Sequence, residues 1–304
     1  MTTKSPTKSA TKKRDVNAEI TQRFIDAIES GVSPFQVPWS SANGMPRNFS
    51  GNVYRGINFF LTLLYCFDNN WETPVFMTYK QAKDQGYQVK KGSKSVHVSY
   101  SSMTVPQKYK DNPESCPSSE RYFFRKLYSV FNVAQIDGID LEKFKINKEE
   151  FQPDEQAQSI VTGYTNSPLV KHEGTRAFFD SRADVVTMPA IDRFHNTAGY
   201  YEVLFHELGH STGHTSRLDR PLGNKKSSDE YAFEELIAEL TASFLCAESG
   251  ILEATFENSA SYLEGWLQSF KSDSSYLLKA AAKAQLAADH ILGRSFAAKE
   301  VKSI

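Results

Sequence analysis

The sequence is poor in cysteine and has no long apolar run. Its 304 residues include three cysteines, far apart and without a CxxC pair, so neither a disulfide framework nor a cysteine-rich metal site is expected. The longest apolar stretch, residues 59–67, is interrupted by Thr62 and reaches only about half of the ~18 residues that span a membrane. The basic N-terminus has no apolar segment behind it, so we do not expect a secretory signal. These absences predict a reduced, cytoplasmic protein without a membrane partner.

The net charge of −1 is unevenly divided along the chain. Residues 1–140 contain 18 basic and 12 acidic residues, a net of +6, whereas residues 141–304 contain 17 and 24, a net of −7. A basic half is typical of a protein that binds a polyanion. A random spread of surface charge is the simpler alternative. The composition, 40% apolar and 23% charged, is that of an ordinary globular chain.

Patterning along the chain predicts an α+β protein in four segments. A disordered basic tail is expected over residues 1–15, because this segment has almost nothing apolar to bury. Residues 16–140 mix helix and strand signals and predict a small α/β domain. A charged linker is expected over 141–154, and residues 155–304 are predicted to form a mostly helical domain.

Apolar periodicity and turn residues place the individual elements. Asp154 is expected to cap a helix. A strand is expected over 183–188, and in a zincin-like fold it would form the edge of a cleft where an extended peptide could pair with it. An exposed loop is expected over 105–120. The other strands are predicted over 75–79, 95–100 and 122–133. Helices are predicted over 16–30, 57–67, 155–165, 198–212, 229–249, 257–271 and 274–292.

A five-residue motif in the second half indicates a metal site. Residues 206–210 read HELGH, and His206 and His210 lie one helical turn apart, so both imidazoles can bind one divalent ion. Glu207 is not a ligand in this arrangement and can act as general base toward a water molecule at the open position of the metal. Zn²⁺ is the ion we expect, although such ligands also accept Mn²⁺ or Co²⁺. The alternative to a metal site is that these are surface or core histidines and that the glutamate lies beside them by chance.

A catalytic zinc site needs a third protein ligand, and several residues are candidates. His214 lies eight residues beyond His206, roughly 12 Å of helical rise, and can reach the metal only if the helix breaks. Glu235 is favoured, because its spacing resembles that of gluzincin metallopeptidases, and Glu239 one turn later would then orient a ligand histidine from behind. Glu234 and His214 stay open as alternative ligands. The alternative is that these glutamates only form a solvent-exposed acidic face of a helix and bind no metal.

Aromatic and basic residues are interleaved in the first half, for example in RYFFRKLY at 121–128. Binding of single-stranded nucleic acid needs this mixture, because bases stack on aromatic rings while Lys and Arg neutralise phosphates. Motifs for sequence-specific duplex binding are not visible. The alternative to nucleic-acid binding is a small α/β core in which the aromatic residues are buried and the lysines are exposed to solvent. The candidate DNA-binding residues are Trp39, Arg47, Tyr54, Arg55, Asn58, Tyr79, Lys80, Lys90, Lys91 and Lys94.

Motifs from both halves, taken in order, resemble those of the ArdC-type antirestriction proteins of conjugative plasmids and mobile elements. They are Pro38-Trp39, YRGIN (54–58), TYKQA (78–82), VKKGSK (89–94), VFNVAQIDG (130–138), HELGHSTGH (206–214), RLDR (217–220) and YAFEELIAEL (231–240). The resemblance implies an N-terminal domain that binds single-stranded DNA, similar to one in plasmid primase proteins, and a zincin-like metallopeptidase domain. It also implies protection of incoming DNA from host restriction endonucleases.

The leading hypothesis is therefore an antirestriction protein that binds single-stranded DNA and carries a metallopeptidase site. A subunit of a restriction system is the protein substrate that this role would imply. One alternative is a DNA-coating protein whose metal domain is a scaffold without turnover. The other is an accessory factor for a primase or for replication.

Overall fold

The fold is that of a computed structural model, which describes residues 15–31, 44–144, 153–223, 229–251 and 260–295. Trp39, most of the predicted basic tail and most of the predicted linker lie outside these residues. The described helices are α1 (Val16–Glu29), α2 (Ile57–Asp68), α3 (Tyr79–Asp84), α4 (Pro153–Gly163), α5 (Thr197–Ser211), α6 (Asp229–Ser249), α7 (Ala260–Ser272) and α8 (Tyr276–Ile291). The described strands are β1 (Arg47–Asn48), β2 (Val75–Thr78), β3 (Gln88–Val89), β4 (Val96–Thr104), β5 (Tyr122–Asn132), β6 (Ile136–Asp137), β7 (Leu169–His172), β8 (Phe178–Asp180) and β9 (Val185–Met188).

These elements confirm the predicted α+β class. In the N-terminal half, β1, β2, β5 and β4 form one sheet in that order, and β3 pairs with β6. Strands β4 and β5 form a long antiparallel hairpin, in register from Val96 opposite Val130 to Thr104 opposite Tyr122. Within the described residues, no helix is both long and apolar enough to cross a bilayer.

The strand predicted over 183–188 forms as β9, but it is not an edge strand. It pairs in parallel with β7 and antiparallel with β8, so it is the central strand of a three-stranded sheet. The expectation of an open edge on β9 is therefore wrong, because both of its backbone edges are already paired. Strand β8 occupies an edge of this sheet instead.

Helix α4 corrects a second expectation. Pro153 is its first residue, so Asp154 lies within the first turn and is not the cap. Proline suits this position, because the first backbone N–H groups of a helix have no partner within the helix. Asp154 still favours the helix through the positive end of its dipole.

The two halves share one hydrophobic core. Helices α1 and α2 contribute buried residues to the same cluster as α5, α6 and α8, and the rings of Phe60 and Phe244 have centroids 4.8 Å apart. At the start of α2, Arg55 forms a salt bridge with Asp289 of α8. A second, smaller core lies wholly in the N-terminal half and comprises Val75, Met77, Ala82, Val89, Val133 and Ile136. We call the part of the fold around this second core the small lobe.

Candidate metal centre

Helix α5 carries the HELGH motif and packs closely against α6. The side chain of Asn196 caps its start by accepting a hydrogen bond from the backbone N–H of Gly199 at 2.7 Å. Gly209 faces α6, and a Cβ atom at this position would lie 3.2 Å from the Cα of Ala238. The absence of a side chain at Gly209 therefore lets the two helices approach, which brings the glutamates of α6 to the histidines of α5.

Three side chains converge at the contact of these helices. The Nε2 atoms of His206 and His210 are 3.1 Å apart. Glu235 Oε2 lies 3.7 Å from His206 Nε2, and Glu235 Oε1 lies 3.5 Å from His210 Nε2. A tetrahedral zinc ion with bonds of ~2.0–2.1 Å places its ligand atoms ~3.3 Å apart. Two imidazole nitrogens and one carboxylate oxygen at these separations fit a divalent metal ion.

The outer nitrogens of both histidines contact other glutamates of α6. Glu239 Oε2 lies 3.4 Å from His206 Nδ1, and Glu234 Oε1 lies 3.4 Å from His210 Nδ1. Carboxylates in this position fix the tautomer and the orientation of a ligand histidine. The structure thus places Glu234 and Glu239 behind the histidines and Glu235 between them.

His214, the other alternative ligand, lies away from this cluster. Its Nδ1 atom is 2.8 Å from the hydroxyl of Ser216. Among the described residues, the group that could hold a metal consists of His206, His210 and Glu235. The helix does end before His214, but the following turn does not direct that side chain to the cluster.

The RLDR segment contributes a buried arginine that sequence reasoning did not assign to the site. Arg220 donates hydrogen bonds to both carboxylate oxygens of Glu234, at 2.6 and 3.0 Å. It also donates to the hydroxyl of Thr212 at 2.6 Å and to the carbonyl oxygen of Gly209 at 3.1 Å. Arg220 therefore ties the end of α5 to α6. The signal in the sequence was the position of RLDR directly after the histidine motif.

The charges around the cluster shift the pKa values of its members in opposite directions. Burial alone would lower the pKa of His206, but hydrogen bonds with Glu235 and Glu239 raise it well above its usual range. Burial would also lower the pKa of His210, but hydrogen bonds with Glu234 and Glu235 raise it to about 9. Burial would raise the pKa of Glu235, but the two histidines hold it far below its ordinary value. Without a bound ion, the surrounding carboxylates therefore favour the protonated form of these histidines.

Two further glutamates of α5 lie near the cluster. Glu207 is 8% exposed, and its negative charge contributes to the raised pKa of both His206 and His210. Glu202, one turn before His206, is 3% exposed, and its Oε1 atom has no hydrogen-bond partner among the described residues. Burial and the nearby charge of Glu239 raise the pKa of Glu202 to about 8.

Several of the candidate DNA-binding residues make contacts within the fold. Tyr54 packs edge-on against Phe76, and burial raises its pKa strongly. The side-chain amide of Asn58 donates to the backbone carbonyl of Ser99 and accepts from its N–H, at 2.6 and 2.9 Å, which covers the outer edge of β4. Both side chains therefore have structural partners within the fold.

Arginine side chains of the same set are also engaged. Arg55 is paired with Asp289 across the two halves. Arg47 donates to the carbonyl oxygens of Phe144 and Met45, at 3.0 and 3.3 Å. Trp39 lies outside the described residues. The two arginines therefore have structural partners, whatever else they contact.

The remaining candidates are exposed on the small lobe. Tyr79 and Lys80 lie on α3, which packs against β3. Three lysines follow β3 in the turn that leads to β4. The Nζ atom of the first, Lys90, donates to the carbonyl oxygen of Ala134 at 2.9 Å. The exposed side chains of this set are Tyr79, Lys80, Lys90, Lys91 and Lys94.

Comparison with known families assigns a class to each half. Residues 14–131 match the N-terminal domain of the anti-restriction factor ArdC. Residues 155–283 match a zincin-like metallopeptidase domain. The C-terminal half, with its HELGH helix, is therefore a zincin-like domain.

Relatives along most of the chain define the family. ArdC from plasmid R388, solved without metal and with Mn(II) bound, is 32% and 33% identical, with TM-scores of 0.74 and 0.75. These matches cover 93% and 95% of this chain and 100% of the ArdC chain. The uncharacterized protein y4eC of Sinorhizobium fredii is 31% identical over 90% of this chain and 91% of its own length. The chain belongs to the ArdC family of antirestriction proteins.

Two longer relatives carry a similar region. DNA primases TraC of Escherichia coli are 30% and 32% identical over 95% of this chain. The matched region is 28% of one primase and 20% of the other. The similarity to these primases is thus confined to a small part of their length.

Proposed function

We propose that His206, His210 and Glu235 hold one divalent ion and that this centre hydrolyses a peptide bond. The observation that carries the proposal is the convergence of two Nε2 atoms and a carboxylate, all within 4.8 Å of one another, beside a buried Glu207. The Mn(II)-bound structure of the R388 relative supports a divalent ion. Zn²⁺ is the ion we propose, because it favours two histidines, one carboxylate and an open position.

The residues around the ion have distinct tasks. When bound, the metal supplies Lewis acidity, which polarises a carbonyl group and lowers the pKa of water. Glu207 accepts a proton from the attacking water and passes it to the leaving amine, as a general base and then a general acid. Glu234 and Glu239 hold the rings of His210 and His206 so that each Nε2 faces the ion.

The substrate would bind as an extended segment along β8. This strand is at the sheet edge and packs near α5, and Phe178 on it is 48% exposed. Main-chain hydrogen bonds to a free strand edge give affinity for an extended peptide without a sequence requirement. A subunit of a host restriction system is the substrate class that the antirestriction role favours.

We also propose that the N-terminal half binds single-stranded DNA. The exposed lysines of the small lobe, with the net charge of +6 over residues 1–140, support a polyanion partner. The region similar to this chain is only 28% of one primase and 20% of the other, so we do not propose priming activity.

Replacing Glu207 by Gln tests the peptidase proposal against the scaffold alternative. The variant keeps the size of the side chain but loses the base, so we expect a normal metal content, no peptide hydrolysis and no protection of a transferred plasmid in a restricting host. Glu155→Gln, an exposed substitution in α4, is the matched control and should protect like the wild type. Full protection by Glu207→Gln with its metal retained would refute the peptidase role and leave the scaffold alternative.

A further inference from the structure

The β4–β5 hairpin continues beyond the core that anchors it. On one of its faces, Val96 and Val98 are buried at 0% and 6% exposure, and Val130 is buried opposite Val96. Further along the same face the side chains are only partly covered, and Tyr122 is 51% exposed. Six residues of extended strand span about 20 Å. The outer part of the hairpin is thus a ribbon whose face is partly exposed, with Tyr128 at its inner end packed against the core.

Aromatic side chains line this face of the ribbon. Alternation along antiparallel strands puts Tyr100, Tyr128 and Phe124 on the same side. The ring centroid of Tyr100 lies 6.0 Å from that of Phe124 and 6.5 Å from that of Tyr128. Lys126, directly opposite Tyr100, is exposed, and its Nζ atom lies 4.8 Å from the centre of the Tyr128 ring. We call Tyr100, Phe124, Lys126 and Tyr128 the ribbon strip.

We propose that the ribbon strip is the surface on which the bases of single-stranded DNA stack. This inference rests on the proposed DNA binding of the N-terminal half. It assigns the stacking to residues outside the ten candidates named from the sequence, although Phe124, Lys126 and Tyr128 lie within the RYFFRKLY stretch. Three rings in one row offer successive platforms, and Lys126 among them supplies a charge for a phosphate. Stacking of this kind tolerates any base, because every base has a π-face.

The position of the strip relative to the lysines supports a continuous path. Lys94 is exposed two residues before β4, at the anchored end of the hairpin, and Lys126 lies midway along it. A strand that stacks on the rings can therefore extend from the ribbon toward the lysines of the small lobe. Duplex DNA presents no free base faces, so the rings add nothing to duplex binding.

Fluorescence anisotropy with a labelled dT20 oligonucleotide tests the strip. We expect the double variant Tyr100→Ala/Phe124→Ala to bind at least about 25-fold more weakly, since each stacked base contributes a loss of about five-fold or more. Tyr100→Phe should bind like the wild type, because it keeps the ring. Lys126→Gln should reduce the magnitude of the slope of log Kd against log salt by about 0.7, the value for one phosphate contact on a single strand. Leu286→Ala, which removes an exposed apolar side chain of α8 in the other half, is the control.

The outcomes separate this inference from the proposed function. Wild-type protein that does not bind dT20 would overturn both. Wild-type binding that the double variant retains within two-fold would overturn the ribbon strip alone. If the double variant does not fold, photocrosslinking of the wild type to an oligonucleotide with bromodeoxyuridine replaces it. Crosslinks on residues 96–104 or 122–132 support the strip, and crosslinks confined to other segments overturn it.

Discussion

Arg220 donates two hydrogen bonds to the buried carboxylate of Glu234, at 2.6 and 3.0 Å. The same carboxylate lies 3.4 Å from Nδ1 of His210, so the ion pair is connected to a proposed metal ligand. Removing one partner of a buried ion pair leaves an uncompensated charge and costs about 3–5 kcal/mol. The pair therefore links the stability of the fold to the geometry of the metal centre.

Arg220→Ala should weaken metal binding as well as folding. Loss of a residue that supports a ligand histidine lowers metal affinity by about 10- to 100-fold. The affinity for Mn²⁺, measured by competition with a chelator on folded protein, checks this expectation. The d–d absorption spectrum of a Co²⁺-substituted sample should shift as well, because His210 is no longer held in place.

Arg217 provides a matched control on the same segment. Its side chain is also buried and also forms an ion pair, but with Asp184 and without contact to a ligand histidine. Arg217→Ala should lower the free energy of unfolding while leaving the Mn²⁺ affinity of the folded protein unchanged. Equal losses of affinity in both variants would show that the effect of Arg220 is only structural.

Metal binding should release protons at neutral pH. The pKa of His210 is raised to about 9 without a bound ion, and that of His206 is raised well above its usual range. Histidine must be neutral to bind a metal, so each ion displaces up to two protons and affinity rises with pH. Calorimetric titration with Mn²⁺ at pH 7 in buffers of different ionisation enthalpy should show a net release of protons, up to two per ion. A binding enthalpy that is the same in all buffers would contradict the proton release.

Glu202→Gln should make the metal-free protein less sensitive to alkaline pH. The folded-state pKa of Glu202 is raised to about 8, so its contribution to stability is fully present below the unfolded pKa of about 4.3 and is lost as pH rises through 8. The neutral amide lacks this loss, which amounts to roughly a few kcal/mol. Urea unfolding at pH 5 and pH 8.5 measures the change in the free energy of unfolding between these pH values, with Glu155→Gln as the control. A variant that loses as much stability as the wild type would disprove the assignment.

Arg55→Ala should affect folding rather than DNA binding. Asp289, its partner on α8, is buried, so the substitution leaves a carboxylate without its cation and costs about 1–3 kcal/mol. We expect a lower melting temperature with an unchanged Kd for dT20. Lys91 is an exposed lysine of the small lobe, so Lys91→Ala should raise the Kd for dT20 and leave the melting temperature unchanged. A large loss of DNA affinity in a folded Arg55→Ala protein would restore its role as a DNA contact.

The long helices could be predicted from the sequence because their own apolar periodicity specifies them. Helix α6 spans Asp229–Ser249, as the pattern indicated, and α1 and α2 end within one residue of their predicted ends. Strands β7 and β8 were not predicted. Both are short and mostly exposed, so they carry no alternation, and only their pairing with β9 defines them.

The candidate metal centre likewise combines features that local sequence spacing predicts with features that depend on tertiary contacts. The spacing of His206 and His210 placed both imidazoles on one helix face, because a helical turn is a local property. The spacing already favours Glu235 over Glu234 as the ligand, but the inner position of its carboxylate depends on the approach of two helices, which Gly209 permits. Arg220 was missed for this reason. Its role depends on the path of a loop that no periodicity describes.

Metal analysis of purified protein tests the central claim most directly, namely that His206, His210 and Glu235 hold one divalent ion. The account predicts one Zn²⁺ or Mn²⁺ per chain in the wild type and in Glu207→Gln. It predicts almost none in Glu235→Ala, at an equal folded fraction. Stoichiometric metal in Glu235→Ala would contradict the claim and would transfer the third ligand to Glu234 or His214.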